Sequence, residues 1–247
     1  MHLLSSSPTR GLIALAFALP VVLAACGKRE PAQAPQAPAP ETAAPAAPAE
    51  KVPDLAHYAP VVQYAYLAYF GRPADAAGLE YWGKQLQAAR APTDPAALAT
   101  EYGANAGVRA VLDAFANSDE ARLLYPGSTR EFVAAVYRNL FQRDADKAGL
   151  DYWTGAIDKG VITRSQAALS IMNGAQHKDP GTLRSKLAVA DAFTRILGER
   201  PEAAADYKGE ADNKLARAMM AKVNGATEVA AFDAQMRETI AQMAKAQ

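Results

Sequence analysis

The chain has 247 residues, of which 50% are hydrophobic, and its 26 basic and 26 acidic side chains balance to a formal net charge of zero. There is no basic excess to hold nucleic acid and no long-range field to steer a charged partner. The apolar content is enough to bury a real core, so a folded body is expected somewhere along the chain.

In chain order, residues 1–10 carry one Arg and no acid, and residues 11–25 read GLIALAFALPVVLAA, an almost unbroken apolar run. It is shorter than the ~20 residues a spanning helix needs. A weakly positive start, a short apolar run and a small-residue exit describe a secretory signal peptide over residues 1–25. The exit, Leu23-Ala24-Ala25-Cys26, resembles a bacterial lipoprotein box. That resemblance implies cleavage before Cys26, diacylation of its sulfur and a membrane anchor there, and Gly27 in the next position implies the outer membrane. Cys26 is the one cysteine in the chain, and acylation explains its presence in an exported protein.

Residues 26–53 follow as a linker. Within it, PAQAPQAPAPETAAPAAPAE holds Pro and Ala and no aromatic side chain. Such a segment cannot bury enough surface to fold and is expected to be a disordered tether. Extended at about 3.1 Å per residue, it would reach on the order of 60 Å from the lipid.

From residue 54 to 247 the pattern turns helical. Phe132, Val133, Val136, Tyr137, Leu140 and Phe141 share one helix face. Ser128-Thr-Arg-Glu131 and Thr163-Arg-Ser-Gln166 have capping-box form, and Asp179-Pro180 reads as an N-cap followed by Pro. Asn173-Gly174 and Asn224-Gly225 read as left-handed helix stops. Hairpin signals and alternating strand patterns are missing. The expectation is a compact all-α body of nine or ten helices.

One stretch repeats. GRPADAAGLEYW (residues 71–82) returns as QRDADKAGLDYW (residues 142–153), 71 residues later. The match extends backwards, with Tyr66 on Tyr137 and Phe70 on Phe141. The body is therefore expected to be built on a duplicated helix–loop–helix unit, with copies at about 61–120 and 132–176 and further helices over 180–247. Extra residues in the first copy fall at 91–107, where the sequence is turn-rich. A third, partial echo starts at Phe193.

The doubled pattern (G/Q)-R-x-x-D-x-x-G-L-x-Y-W, together with Arg164-Ser165 and the run from Leu183 to Thr194, resembles domain of unknown function 4214. The resemblance covers about residues 61–197. It implies an exported or surface protein, often with tandem copies, and a role in binding or anchoring to surface glycan.

At each joint, Asp75 and Asp146 stand where an N-cap belongs, and Arg72 and Arg143 are placed to pair with that Asp or with helix carbonyls. Gly78 and Gly149 fall in the first helical turn, where Gly is costly unless something approaches closely. Leu79 and Trp82, like Leu150 and Trp153, share a face and should be core. Asp144, Asp146, Gly149 and Asp151 imitate part of a calcium loop. Ala148 and Gly155 stand at positions 5 and 12, where that loop needs oxygen ligands, so no metal is expected. Tyr64, Tyr66, Tyr69 and Tyr81 make the first copy richer in tyrosine; they are either core or a face on which a sugar ring stacks. The histidines at 57 and 177 have no triad or metal-ligand spacing, and no phosphate loop occurs. Acids such as Glu80 and Asp151 sit at repeated helix starts. No enzyme and no cofactor is expected. The function expected is that of a lipid-anchored envelope module binding surface polysaccharide or surface-layer material. The alternative is a structural lipoprotein that docks an envelope protein, and a carbohydrate-active enzyme stands behind both.

Overall fold

The structure is a computed structural model, and it describes residues 52–245 apart from 201, 203, 205, 206 and 208. The signal peptide, Cys26 and nearly all of the linker lie outside the described residues. After a one-turn 3-10 helix (Leu55–Tyr58), eleven α-helices are described: α1 (Ala59–Phe70), α2 (Ala76–Ala88), α3 (Pro95–Ala104), α4 (Ala106–Ala116), α5 (Asp119–Leu124), α6 (Thr129–Phe141), α7 (Lys147–Asp158), α8 (Arg164–Asn173), α9 (Asp179–Gly198), α10 (Glu210–Met220) and α11 (Val229–Met243). No strand occurs among the described residues, and no helix there is long and apolar enough to cross a membrane.

The centre is made by α1, α6 and α9, each packed on the other two. α1 reads APVVQYAYLAYF, apolar on every side, and a helix of that kind must be enclosed. It is: from Val61 to Phe70 only Tyr64 escapes full burial. α6 has one apolar face, and its Phe132, Val133, Val136, Tyr137, Leu140 and Phe141 are all buried. α4 and α8 also pack on α1, with α2 reaching α1 and α4, while α10 and α11 pack on α9.

A polar clamp crosses this centre. Gln63 on α1 is fully buried. Its amide donates to Thr194 Oγ1 on α9 at 2.7 Å, and its Oε1 accepts from the Ala74 N–H at 2.9 Å. Thr194 Oγ1 in turn donates to the Ala74 carbonyl at 2.6 Å. The α1–α2 loop thus has its peptide groups satisfied by side chains from two helices, as burial requires.

Several helix ends differ from expectation. The segment 91–107 is largely α3, capped by Asp94, whose side chain accepts from Ala97 N, with Pro95 at the first helical position. Pro there starts a helix rather than breaking one. Asp179 is not a cap: α9 begins at Asp179 itself, and its carboxylate is taken by Arg143. Gly174 has φ −79°, so it is no left-handed stop. Asn224-Gly225 lies past the end of α10, where Asn224 Oδ1 accepts from Ala226 N in a turn. Left-handed residues instead end α1 and α6, at Gly71 (φ 65°) and Gln142 (φ 58°), matching places in the two joints, and follow α2 and α7 at Arg90 (φ 50°) and Gly160 (φ 68°).

Candidate binding site

The two joints make the same contacts. Asp75 Oδ1 accepts from Gly78 N, and Asp146 Oδ1 from Gly149 N, each at 2.8 Å. The Gly149 bond, with the neighbouring backbone N–H groups and the Arg143 charge, holds the Asp146 carboxyl below its ordinary range. The arginines reach further than expected. Arg72 grips Glu120 with two bonds of 2.7 Å, and Arg143 grips Asp179 with bonds of 2.8 and 2.6 Å. Arg143 passes Asp146 only at 4.0 Å. Each guanidinium also lies over two aromatic rings of the helix before it: Tyr66 and Phe70 for Arg72, Tyr137 and Phe141 for Arg143. Local spacing could not disclose partners 48 and 36 residues away.

The glycines answer to the tyrosines. A Cβ on Gly78 would lie 2.1 Å from Tyr66 Oη, and one on Gly149 would lie 2.7 Å from Tyr137 Oη. Burial pushes the Tyr66 hydroxyl up; Asp75 adds to this, while Arg72 and the Trp82 indole oppose it. Leu79, Trp82, Leu150 and Trp153 are half-buried and packed against the core, whereas Tyr81 and Tyr152 are exposed.

The joints differ in cover. Gly71 to Ala74 are buried, and Tyr207 donates its hydroxyl to the Pro73 carbonyl at 2.9 Å. Gln142 to Asp144 are exposed. The sequence differences follow: Pro73 sits in the covered loop and Asp144 in the open one. The acids of the calcium-like stretch serve separate partners, with Asp144 on Arg138 and Asp151 on Lys147 and Arg130. No metal-holding cluster occurs among the described residues.

The four tyrosines singled out from sequence do not form one face. Tyr66 and Tyr69 are buried, and Tyr69 donates to the Ser165 carbonyl. Tyr64 is half-buried beside Asp94 and Arg184, while Tyr81 lies over a different groove between α2 and α4. Tyr66 and Tyr69 are buried because α1 runs through the centre, whereas Tyr81 stands exposed on α2.

A different aromatic pocket is present. It is a cavity of about 480 Å³ walled by Tyr69, Tyr102, Tyr125 and Phe132, with Asp113 and Thr163 among its polar groups. Tyr102 donates to Asp113 Oδ1 at 2.7 Å and accepts from Thr163 Oγ1 at 2.9 Å. Tyr125 accepts from Asn139 Nδ2 at 2.9 Å. Burial raises all three hydroxyls above their ordinary range, so they remain neutral donors. Arg164 lies 5.3 Å over the Phe132 ring at the rim. The volume and mixture suit a small organic ligand: apolar walls with a few placed polar groups. Of its walls, the sequence marks Tyr69 alone as a possible ligand contact; Phe132, Thr163, Arg164 and Ser165 stand out there only as helix-face, cap and family-motif residues. Tyr102 carries no such mark, because the turn residues around it hide the helix α3 on which it lies.

Residues 111–179 match the family described as Domain of unknown function (DUF4214). The match is narrower than the span 61–197 expected from the motifs. It holds the second joint complete, ends on the Asp179 that Arg143 grips, and includes Asp113, Tyr125, Phe132 and Thr163 of the pocket. Neither the curated proteins nor the solved structures include a significant match to the chain.

Proposed function

We propose that this protein is a lipid-anchored, non-catalytic module of the bacterial cell envelope that binds a neutral sugar unit of surface glycan in the tyrosine-walled pocket. Cys26 carries the anchor, the Pro/Ala-rich segment is the tether, and the outer membrane is the site. The helical body is a duplicated unit, a tandem of the domain matched at residues 111–179. The observation that carries the binding reading is the pocket itself. Aromatic walls with neutral hydroxyls, the Asp113 carboxylate and the Arg122 and Arg164 guanidiniums match the alternating apolar and hydroxyl faces of a sugar. Neither His57 nor His177 lines that pocket.

The test is a glycan array probed with the full chain and with Tyr102→Ala. Retention of particular glycans that drops at least tenfold in the variant supports the reading. Equal retention by both contradicts it. Metabolic labelling with a radioactive fatty acid tests the anchor: label must enter the parent and not Cys26→Ser.

A second reading rests on α7, which has no fully buried residue and carries the exposed Tyr152, with exposed Val161 just beyond it. That face would dock an envelope protein. Crosslinking from position 152 in intact cells that captures one envelope protein, with no glycan retained on the array, would favour this second reading.

A further inference from the structure

A second cavity, of about 330 Å³, lies where the two joints meet α9 and α10. Its wall includes Gly71 and Gln142, the left-handed ends of α1 and α6, and shares no residue with the tyrosine pocket. Four cations line it, Arg138, Arg143, Lys186 and Arg217, against one carboxylate, Asp144. We propose that this cavity binds a phosphate group, either as free phosphate or carried on a small sugar.

Lys186 is the centre of the argument. It is 1% exposed, and its ammonium donates to the Asn139 carbonyl and, at 3.5 Å, to Gln142 Oε1. Both partners are neutral. The Asn139 carbonyl belongs to the last turn of α6, where a cation is favoured, but it cannot neutralise a desolvated charge. Burial accordingly lowers the Lys186 pKa to about 8, and no acid counters it. Two of the three ammonium donors are used; the third is left for a ligand.

The arginines divide their labour. Arg143 is committed to Asp179 and contributes charge rather than new bonds. Arg138 uses one terminal nitrogen on Asp144, and Arg217 uses its two on Glu120 and Glu210. Arg138 therefore keeps donors for a ligand. A phosphate monoester presents three terminal oxygens and free phosphate four, and guanidinium and ammonium groups together suit them. A single carboxylate would satisfy fewer of these donors.

Isothermal titration of the full chain in a neutral detergent tests this, with sodium phosphate, glucose 6-phosphate and glucose as titrants. Saturable binding of either phosphate titrant, one per chain, that is kept in Tyr102→Ala and not competed by glucose, is expected. Tighter binding of glucose 6-phosphate than of phosphate identifies a sugar-borne group; equal affinity identifies free phosphate. Lys186→Met and Arg138→Gln should each weaken the binding at least tenfold. Arg138 is largely exposed, so its variant keeps the test valid should Lys186→Met fail to fold. The proposal is overturned if neither phosphate titrant saturates, or if every folded variant binds as the parent does. Retention on the glycan array through Tyr102 is independent of either result.

Discussion

The Gly78 and Tyr66 pair shows how a motif residue acts through a distant neighbour. An unstrained helical Gly gains stability on becoming Ala. Here the added methyl meets a hydroxyl held by burial, so Gly78→Ala should destabilise by about 1–3 kcal/mol, as overpacking does. Gly149→Ala should cost less, because its clash is milder: 2.7 Å against 2.1 Å. Urea unfolding measures both, and Tyr66→Phe should restore much of the Gly78→Ala loss. A neutral or stabilising Gly78→Ala would refute the close approach. Lys186 gives a pH signature. Its folded pKa of about 8 lies below the ordinary 10.5, so between these values the unfolded chain binds more protons and stability rises with pH. Below pH 8 the cost of the buried charge is fully present. Lys186→Met should therefore stabilise the ligand-free protein by up to about 3 kcal/mol near pH 7, and the gain should fade by pH 10.5. Taking the difference between variant and parent cancels the tyrosines, which titrate at the upper end. A gain independent of pH would contradict the assignment.

Among the helices, the joint arginines fasten each helix pair to an element far along the chain. Arg72 is nearly enclosed between Tyr66, Phe70 and Tyr207 and grips Glu120. Removing one side of a buried pair costs about 3–5 kcal/mol in general. Arg217 still reaches Glu120 at 3.0 Å, so Arg72→Ala should fall at the lower end. Arg72→Lys should recover little, since one ammonium cannot reproduce the fork. A double-mutant cycle with Glu120→Gln, read by urea unfolding, should give a coupling above about 1 kcal/mol; additivity would show that the pair holds nothing. What was legible at this scale was local. The caps at Asp75, Asp146 and Ser128 and the buried face of α6 follow from chemistry within one or two turns. The partners of Arg72 and Arg143, the Gln63–Thr194 clamp and Tyr102's place in the pocket depend on which helices meet. Asp179 shows the limit most clearly: Asp-Pro is a fair cap signal, yet a bidentate arginine outbids a backbone N–H for the same carboxylate.

For the molecule as a whole, the all-α body was evident from periodicity and helix punctuation, while the binding surface was not. Of the first copy's tyrosines, Tyr64 and Tyr69 differ between the copies while Tyr66 and Tyr81 recur as Tyr137 and Tyr152, and Tyr66 and Tyr69 serve the centre of the fold. The pocket that replaces them as the candidate is assembled from α1, α3, α4, α6 and α8 and the segments around α5, so no single window of sequence contains it. The account of function rests on that pocket taking a sugar. The most direct measurement is equilibrium binding of the full chain to polysaccharide extracted from the cells that make it, compared with Tyr102→Ala and Tyr81→Ala. Loss of binding in Tyr102→Ala with Tyr81→Ala unchanged is the predicted result. Binding that survives Tyr102→Ala, or that falls only with Tyr81→Ala, would contradict it.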